Sequence, residues 1–312
     1  MKKNIGAIIT LWFLQVLFCN PTTILASTHT LGKKIPHEIN VPDKVHIGDP
    51  FSIQISSPAK LKTAQVTWLG EKASMSLDKK DQKYHGSLLL GTDVKKTDAG
   101  NKSIEIKLAN SDCSIIQKRN IHIKSRSFPV QRLQLPPSEV SISDAALQRH
   151  KREKKQVNKA LHTYSRERFW DCPFVSPVPG KVTSVYGLKR FLNNKPRSPH
   201  RGMDFSAKRY RAIQATNTGE VVLTGEHFFA GKSVYIHHGQ GVVSMYFHLS
   251  RIDAEKGQML QKGDIVGLCG KTGRVTASHL HFGISILGQL VNPDALLETN
   301  CPITTIYDIS KN

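Results

Sequence analysis

Acidic residues are scarce in this chain: 24 Asp and Glu stand against 44 Lys and Arg, giving a formal net charge of +20 over 312 residues. In a cytoplasmic protein that balance points to nucleic acid. Here no aromatic-interleaved basic motif and no recognition-helix pattern accompanies it, so no nucleic-acid partner is expected. Beyond the first 20 residues no apolar run is long enough to cross a bilayer as a helix. Cysteine is sparse too, and none of the five has metal-finger spacing. There is no internal repeat and no low-complexity tract. Hydrophobic residues at 39% and charged residues at 22% fit a soluble globular protein, and the length suggests two domains.

The opening "MKKNIGAIITLWFLQVLFCNPTTILAS" sets two lysines before a short apolar run that ends in small and polar residues. That is a secretory signal pattern, with cleavage expected near Ala26 or Ser27. Ile5 to Phe18 is short against the ~20 residues of a spanning helix, so no stable membrane span is expected after cleavage. Cys19 offers lipid attachment as an alternative, against which the bulky Phe18 stands. Export turns the basic charge toward an anionic envelope polymer or membrane surface, or toward no specific partner. It also places Cys113, Cys172, Cys269 and Cys301 where disulfides persist. Cys172 and Cys301 bracket the last third of the chain and could staple its ends; the alternative is four unpaired thiols, with Cys269 a small buried apolar residue.

Residues 28–135 hold short alternating segments such as "FSIQISS", "AQVTWLG", "SIEIKLA" and "RNIHIKS", which predict a small β-sandwich. Three of its histidines, His46, His85 and His122, are scattered singly and read as surface or packing residues. Over 136–169 the alternation gives way to helix formers after a proline-marked stretch, with Ser143 or Asp144 as cap. The basic run "RHKREKK" within it reads as a solvated helix face or a contact for an anionic polymer. From 170 to 298 β-branched and aromatic runs punctuated by glycine return, predicting a second, antiparallel β-rich domain before a tail at 299–312.

Two short clusters in that second domain carry metal-ligand residue types: His200 and Asp204 in "SPHRGMDFSA", His279 and His281 in "SHLHFG". On a strand, residues two apart face one side about 7 Å apart, so His279 and His281 can share a cavity. His200 and Asp204 would lie ~13 Å apart in an extended strand, too far for one ion, so the chain must bend, and Gly202 can bend it. A catalytic zinc takes three ligands from His, Asp or Glu and leaves a position for water. His200, Asp204 and one of the later pair supply that set, but spacing does not choose between His279 and His281. His248 in "MYFHLS" stands between the clusters. The "GKTGR" segment lacks the upstream glycine of a P-loop and reads as a turn feeding the HxH strand. Arg197 and Asn193 are candidates to line the groove, His238 reads as structural, and His227 and His237 read as surface residues.

The motifs "HRGMDF", "MYFHLS" and "GKTGRVTASHLHFGI", in this order with "GEVV" and "VYIHHGQGVVSMY" between them, resemble the lysostaphin and LytM family of zinc metallopeptidases, which cut peptidoglycan cross-bridges and stem peptides. The resemblance covers about residues 172 to 298. It implies that His200, Asp204 and His281 hold the zinc, while His248 and His279 act on the reaction. The loop "SAKRYRAIQA" and Ser278 before the HxH depart from the family pattern, in positions that bear on substrate fit. The expectation is therefore a mainly β, exported zinc endopeptidase acting on peptidoglycan peptides in the periplasm or cell envelope. A β-sandwich-like domain and a helical connector precede its LytM-type domain. Two alternatives remain at this point: a catalytically quiet activator of other wall hydrolases, and a wall-binding protein whose basic N-terminal half does the work.

Overall fold

A computed structural model describes residues 35–134, 142–297 and 301–302; the expected signal segment and Cys19 lie outside them. The described residues from Ile35 onward belong to one compact unit. Among them no helix is long and apolar enough to cross a membrane.

The N-terminal segments form two facing sheets. A four-stranded antiparallel sheet centres on Pro50–Ser57 and Lys83–Gly91, and a five-stranded sheet carries Thr63–Trp68, Gly100–Ala109 and Ser114–Lys124. Alternation explains the pairing: Ile53 and Ile55 from one sheet, with Val66, Trp68, Ile104 and Ile106 from the other, turn inward and are almost wholly buried. Phe51 meets Trp68 edge-on across the gap, ring centroids 5.3 Å apart, and Trp68 Nε1 donates to Gly91 O at 2.8 Å. The sandwich expected from the sequence is present.

The helix spans Asp144–Leu161, capped as expected by Ser143, whose Oγ accepts from Ala146 N. It packs rather than merely connects. Arg149 bonds both Glu153 and the Glu226 carbonyl, Glu153 accepts from Phe228 N, and His150 lies edge-on to Phe229. Lys151, Arg152, Lys154, Lys155 and Lys159 face solvent, the solvated face that the charge run implied.

The C-terminal region is a ten-stranded sheet whose pairings are all antiparallel. Its central path runs Val182–Ser184, Met203–Phe205, Leu280–Ile286, Val242–Ile252, Gly231–His237, Gly219–His227. "GKVTSVYG" supplies only the three-residue strand Val182–Ser184, because the chain then turns through 184–188 to hold the residues before Asp204. Cys172 and Cys301 are joined, with Cα atoms 5.9 Å apart, and tie the two ends of this region. Cys269 is buried, as an apolar core residue is.

Candidate metal centre

Three adjacent strands present the site in one row. Asp204 pairs with His281, and His281 pairs with Phe247 on its other side. His281 stacks flat on Phe247, ring centroids 5.2 Å apart at 15°, which fixes its plane. His200 comes from the turn before Met203–Phe205, held there because its N–H donates to Leu188 O at 3.0 Å and its carbonyl accepts from Gly187 N at 2.7 Å. The bend foreseen between His200 and Asp204 is thus real. Gly202, however, does not serve as a hinge in the left-handed region. A Cβ there would lie 2.5 Å from Phe282 O and 2.7 Å from the His281 ring, so glycine is required for close approach.

His200 Nε2, His281 Nδ1 and Asp204 Oδ1 converge, with pairwise distances of 2.9, 3.1 and 2.8 Å. His200 Nδ1 faces the Val185 carbonyl at 3.1 Å, which can only accept, so Nδ1 carries the proton and Nε2 keeps its lone pair. Three lone-pair atoms from two imidazoles and a carboxylate packed this closely are the arrangement a cation resolves. These three residues form a candidate metal-holding group, and the donor set suits a nitrogen- and oxygen-seeking divalent ion. Burial alone would raise the Asp204 carboxyl; when no cation sits between them the two rings, protonated, can donate to it instead, and those hydrogen bonds and charges hold it far below the usual carboxylate range. Burial also lowers His281, with Asp204 opposing. Arg190, for which the sequence held no signal, donates to Asp204 Oδ2 at 3.4 Å and to Ser184 Oγ at 3.0 Å.

His248 and His279 flank this group, their rings 4.9 Å apart. His248 Nδ1 donates to Thr272 O at 2.9 Å and His279 Nδ1 to Ala277 O at 3.0 Å. Both rings therefore turn Nε2 away from the backbone, and His279 Nε2 lies 3.9 Å from Asp204 Oδ1. His248 has φ +65° and sits where Phe247 and His248 together oppose one residue of Gly231–His237, between the Lys232–Leu249 and Val234–Tyr246 pairs. This bulge lets consecutive residues serve one site, Phe247 under His281 and His248 beside it. Burial, with His281 and His279 adding to it, pushes His248 down to about 3. Arg197 is exposed and its N–H donates to Arg190 O at 2.9 Å, while Asn193 N–H donates to Leu133 O at 2.9 Å.

Two expectations need correction. His227 and His237 are not surface residues; they are 7% and 2% exposed. His227 bonds Ser233 Oγ at 2.6 Å beneath the helix contacts of Glu226 and Phe228, and the chain around Ser165–Trp170 crosses the end of the strand that carries His237. His238 is structural as expected: Nδ1 lies 2.7 Å from Thr218 O and Nε2 2.7 Å from Ser244 Oγ.

Residues 198–293, which span all five of these site residues, match the model of Peptidase family M23. The chain carries an M23 domain. Over 108 residues it is 38% identical to the peptidoglycan DD-endopeptidase ShyA of Vibrio cholerae, a match covering 35% of this chain and 24% of that protein. Over 113 residues it is 36% identical to the DD-carboxypeptidase/endopeptidase Mpg of Neisseria meningitidis, covering 36% of this chain and 26% of that protein. The matched segment thus spans only about a quarter of these relatives' length. A Pseudomonas aeruginosa crystal structure described as a peptidase M23 shares the fold around the M23 domain as well. Its TM-score is 0.61 at 24% identity, covering 82% of this chain and 95% of that one.

Proposed function

We propose that this protein is a zinc-dependent endopeptidase that hydrolyses peptide cross-links or stem peptides of bacterial peptidoglycan during wall remodelling. The observation that carries the reading is the convergence of His200 Nε2, Asp204 Oδ1 and His281 Nδ1 beside two further imidazoles inside an M23 domain. The names of the relatives, peptidoglycan DD-endopeptidases and a DD-carboxypeptidase/endopeptidase, supply the substrate class. In this reading residues 1–27 direct export, residues 28–135 form the N-terminal domain, 136–169 link it to a peptidase domain at 170–298, and the protein works in the periplasm or cell envelope. The Cys172–Cys301 disulfide fits that compartment.

His200, Asp204 and His281 would hold the zinc, which when bound supplies Lewis-acid polarisation of a carbonyl and an acidified water. The chain's own residues divide the remaining work. Val185 O fixes the His200 tautomer, and Phe247 fixes the plane of His281. His248 and His279, anchored through Nδ1 to Thr272 O and Ala277 O, each offer Nε2 to the reacting group. One such Nε2 takes the proton from the attacking water and returns it to the leaving amine. The other, protonated on both nitrogens, donates Nε2–H to the oxyanion that develops on the peptide carbonyl.

Digestion of purified cross-linked peptidoglycan in the presence of zinc, in parallel with His281→Ala and with fragments read by mass spectrometry, tests the proposal. Loss of cross-linked dimers with the unmodified protein alone is expected, and the fragment masses identify the bond. Intact dimers despite one bound zinc per chain would instead favour the quiet activator.

A further inference from the structure

The N-terminal sandwich reaches the turn that carries His200. Asp93, wholly buried at the end of Lys83–Gly91, accepts from Lys95 N at 2.7 Å through Oδ1, and from Leu290 N at 3.2 Å and Arg201 Nη1 at 3.4 Å through Oδ2. Arg201 follows His200 directly. On the other flank Lys95 Nζ donates to Ser198 Oγ at 3.0 Å. A third contact enters from behind: the buried Tyr186 hydroxyl accepts from Val94 N at 2.9 Å and donates to Leu290 O at 2.7 Å. Tyr186 sits between Val185, whose carbonyl orients the His200 ring, and Gly187, whose N–H holds the His200 carbonyl.

We infer that Asp93 and Tyr186 are positioning residues for His200, so that the turn at residues 93–95 of the N-terminal domain sets the metal affinity of a site in the C-terminal one. The inference rests on the reading of His200, Asp204 and His281 as metal ligands. Its physical basis is the cost of the alternatives. A buried carboxylate keeps its charge only while Arg201 and the two N–H donors stay in place, and the half-buried Val94 N–H keeps its partner only while Tyr186 stays in place. Both demands fix the 184–188 turn and Arg201 relative to Leu290, and His200 is held between them. Partners that orient a ligand without touching the metal typically change its affinity by about 10–100-fold.

The test is zinc affinity of the full chain, measured by competition with a chromophoric chelator, for the unmodified protein, Asp93→Asn, Tyr186→Phe, Tyr164→Phe and His281→Ala. Thermal unfolding of each zinc-free protein checks the fold. Tyr164→Phe is the control: its hydroxyl bonds the backbone of Ser74, a contact of the connecting segment with the N-terminal domain that does not touch the His200 turn. Expected is a loss of about tenfold or more in zinc affinity for Asp93→Asn and Tyr186→Phe, with Tyr164→Phe unchanged. Tyr186→Phe keeps the ring volume and carries the test should Asp93→Asn fail to fold. Folded variants that bind zinc as tightly as the unmodified protein overturn the inference, and so does an equal loss in Tyr164→Phe. If His281→Ala loses zinc while these variants keep it, the inference alone falls. If His281→Ala keeps it too, the metal reading falls with it.

Discussion

In the N-terminal region His37 has Nδ1 2.6 Å from Ile35 O and Nε2 2.7 Å from Gln117, and the His122 ring bonds Asn101 at 2.8 Å. In the C-terminal region His200, His248 and His279 also spend Nδ1 on a backbone carbonyl, yet His200 and His279 turn Nε2 toward the Asp204 carboxylate and the His248 ring lies beside that of His279. The two regions use similar strands and the same residue type. A histidine acquires chemistry here when one nitrogen is fixed by the backbone and the other is left facing a shared acid. The comparison breaks most sharply by removing a single ring. His281→Ala should abolish stoichiometric zinc binding and lower peptidoglycan cleavage by at least about a thousandfold, as expected when an essential group of a catalytic unit is lost. His122→Ala, in the other region, should leave both unchanged. Metal content by elemental analysis alongside initial rates decides it.

The flanking pair sharpens the point. His248→Ala and His279→Ala should each keep one zinc per chain while cleavage falls by about 10²–10⁴, the range of general acid–base contributions. Loss of zinc in either variant would move that histidine from proton transfer to metal binding.

How much of this could be read in advance follows from range along the chain. The candidate metal group was legible because its motifs are local: HxxxD and HxH carry their own spacing, and the family resemblance points to His281 rather than His279. The strands of the N-terminal sandwich were legible because alternation is local too. What sequence could not give were contacts set by topology. The carbonyls of Val185, Thr272 and Ala277 leave no side-chain signature, and the bulge at Phe247–His248 appears only when three strands are in register. Arg190 reaches Asp204 from a hairpin 14 positions upstream. His227 and His237 read as surface residues in the sequence, and the segments that cover them come from the helix and from Ser165–Trp170.

The sandwich core should answer differently from the site. Trp68→Ala removes a ring that is 2% exposed and packed on Phe51, together with its bond to Gly91 O. It should cost about 3–5 kcal/mol in denaturant unfolding, the usual range for a buried Trp or Phe truncated to Ala. Cleavage per folded molecule should persist, since the Trp68 partners Phe51 and Gly91 O lie outside the 93–95 turn and the metal centre. A variant that kept its stability but lost activity would place chemistry in the region that this comparison treats as scaffold.

The smallest effect concerns a histidine that belongs to the C-terminal sheet but not to its site. Burial pushes His238 down to about 4, against an ordinary 6.5. Below pH 6.5 the unfolded chain takes up a proton that the folded chain refuses, so the contribution of His238 to stability is complete above 6.5. It is lost as pH falls toward 4, where the folded form protonates as well. Between pH 7.5 and 5 this should lower stability by about 2 kcal/mol, and His238→Gln should remove that part of the slope while losing some stability at both pH values. Urea unfolding at the two pH values measures it. An unchanged slope in His238→Gln would assign the acid sensitivity to other buried histidines, with His237, also pushed down to about 4, the next to replace.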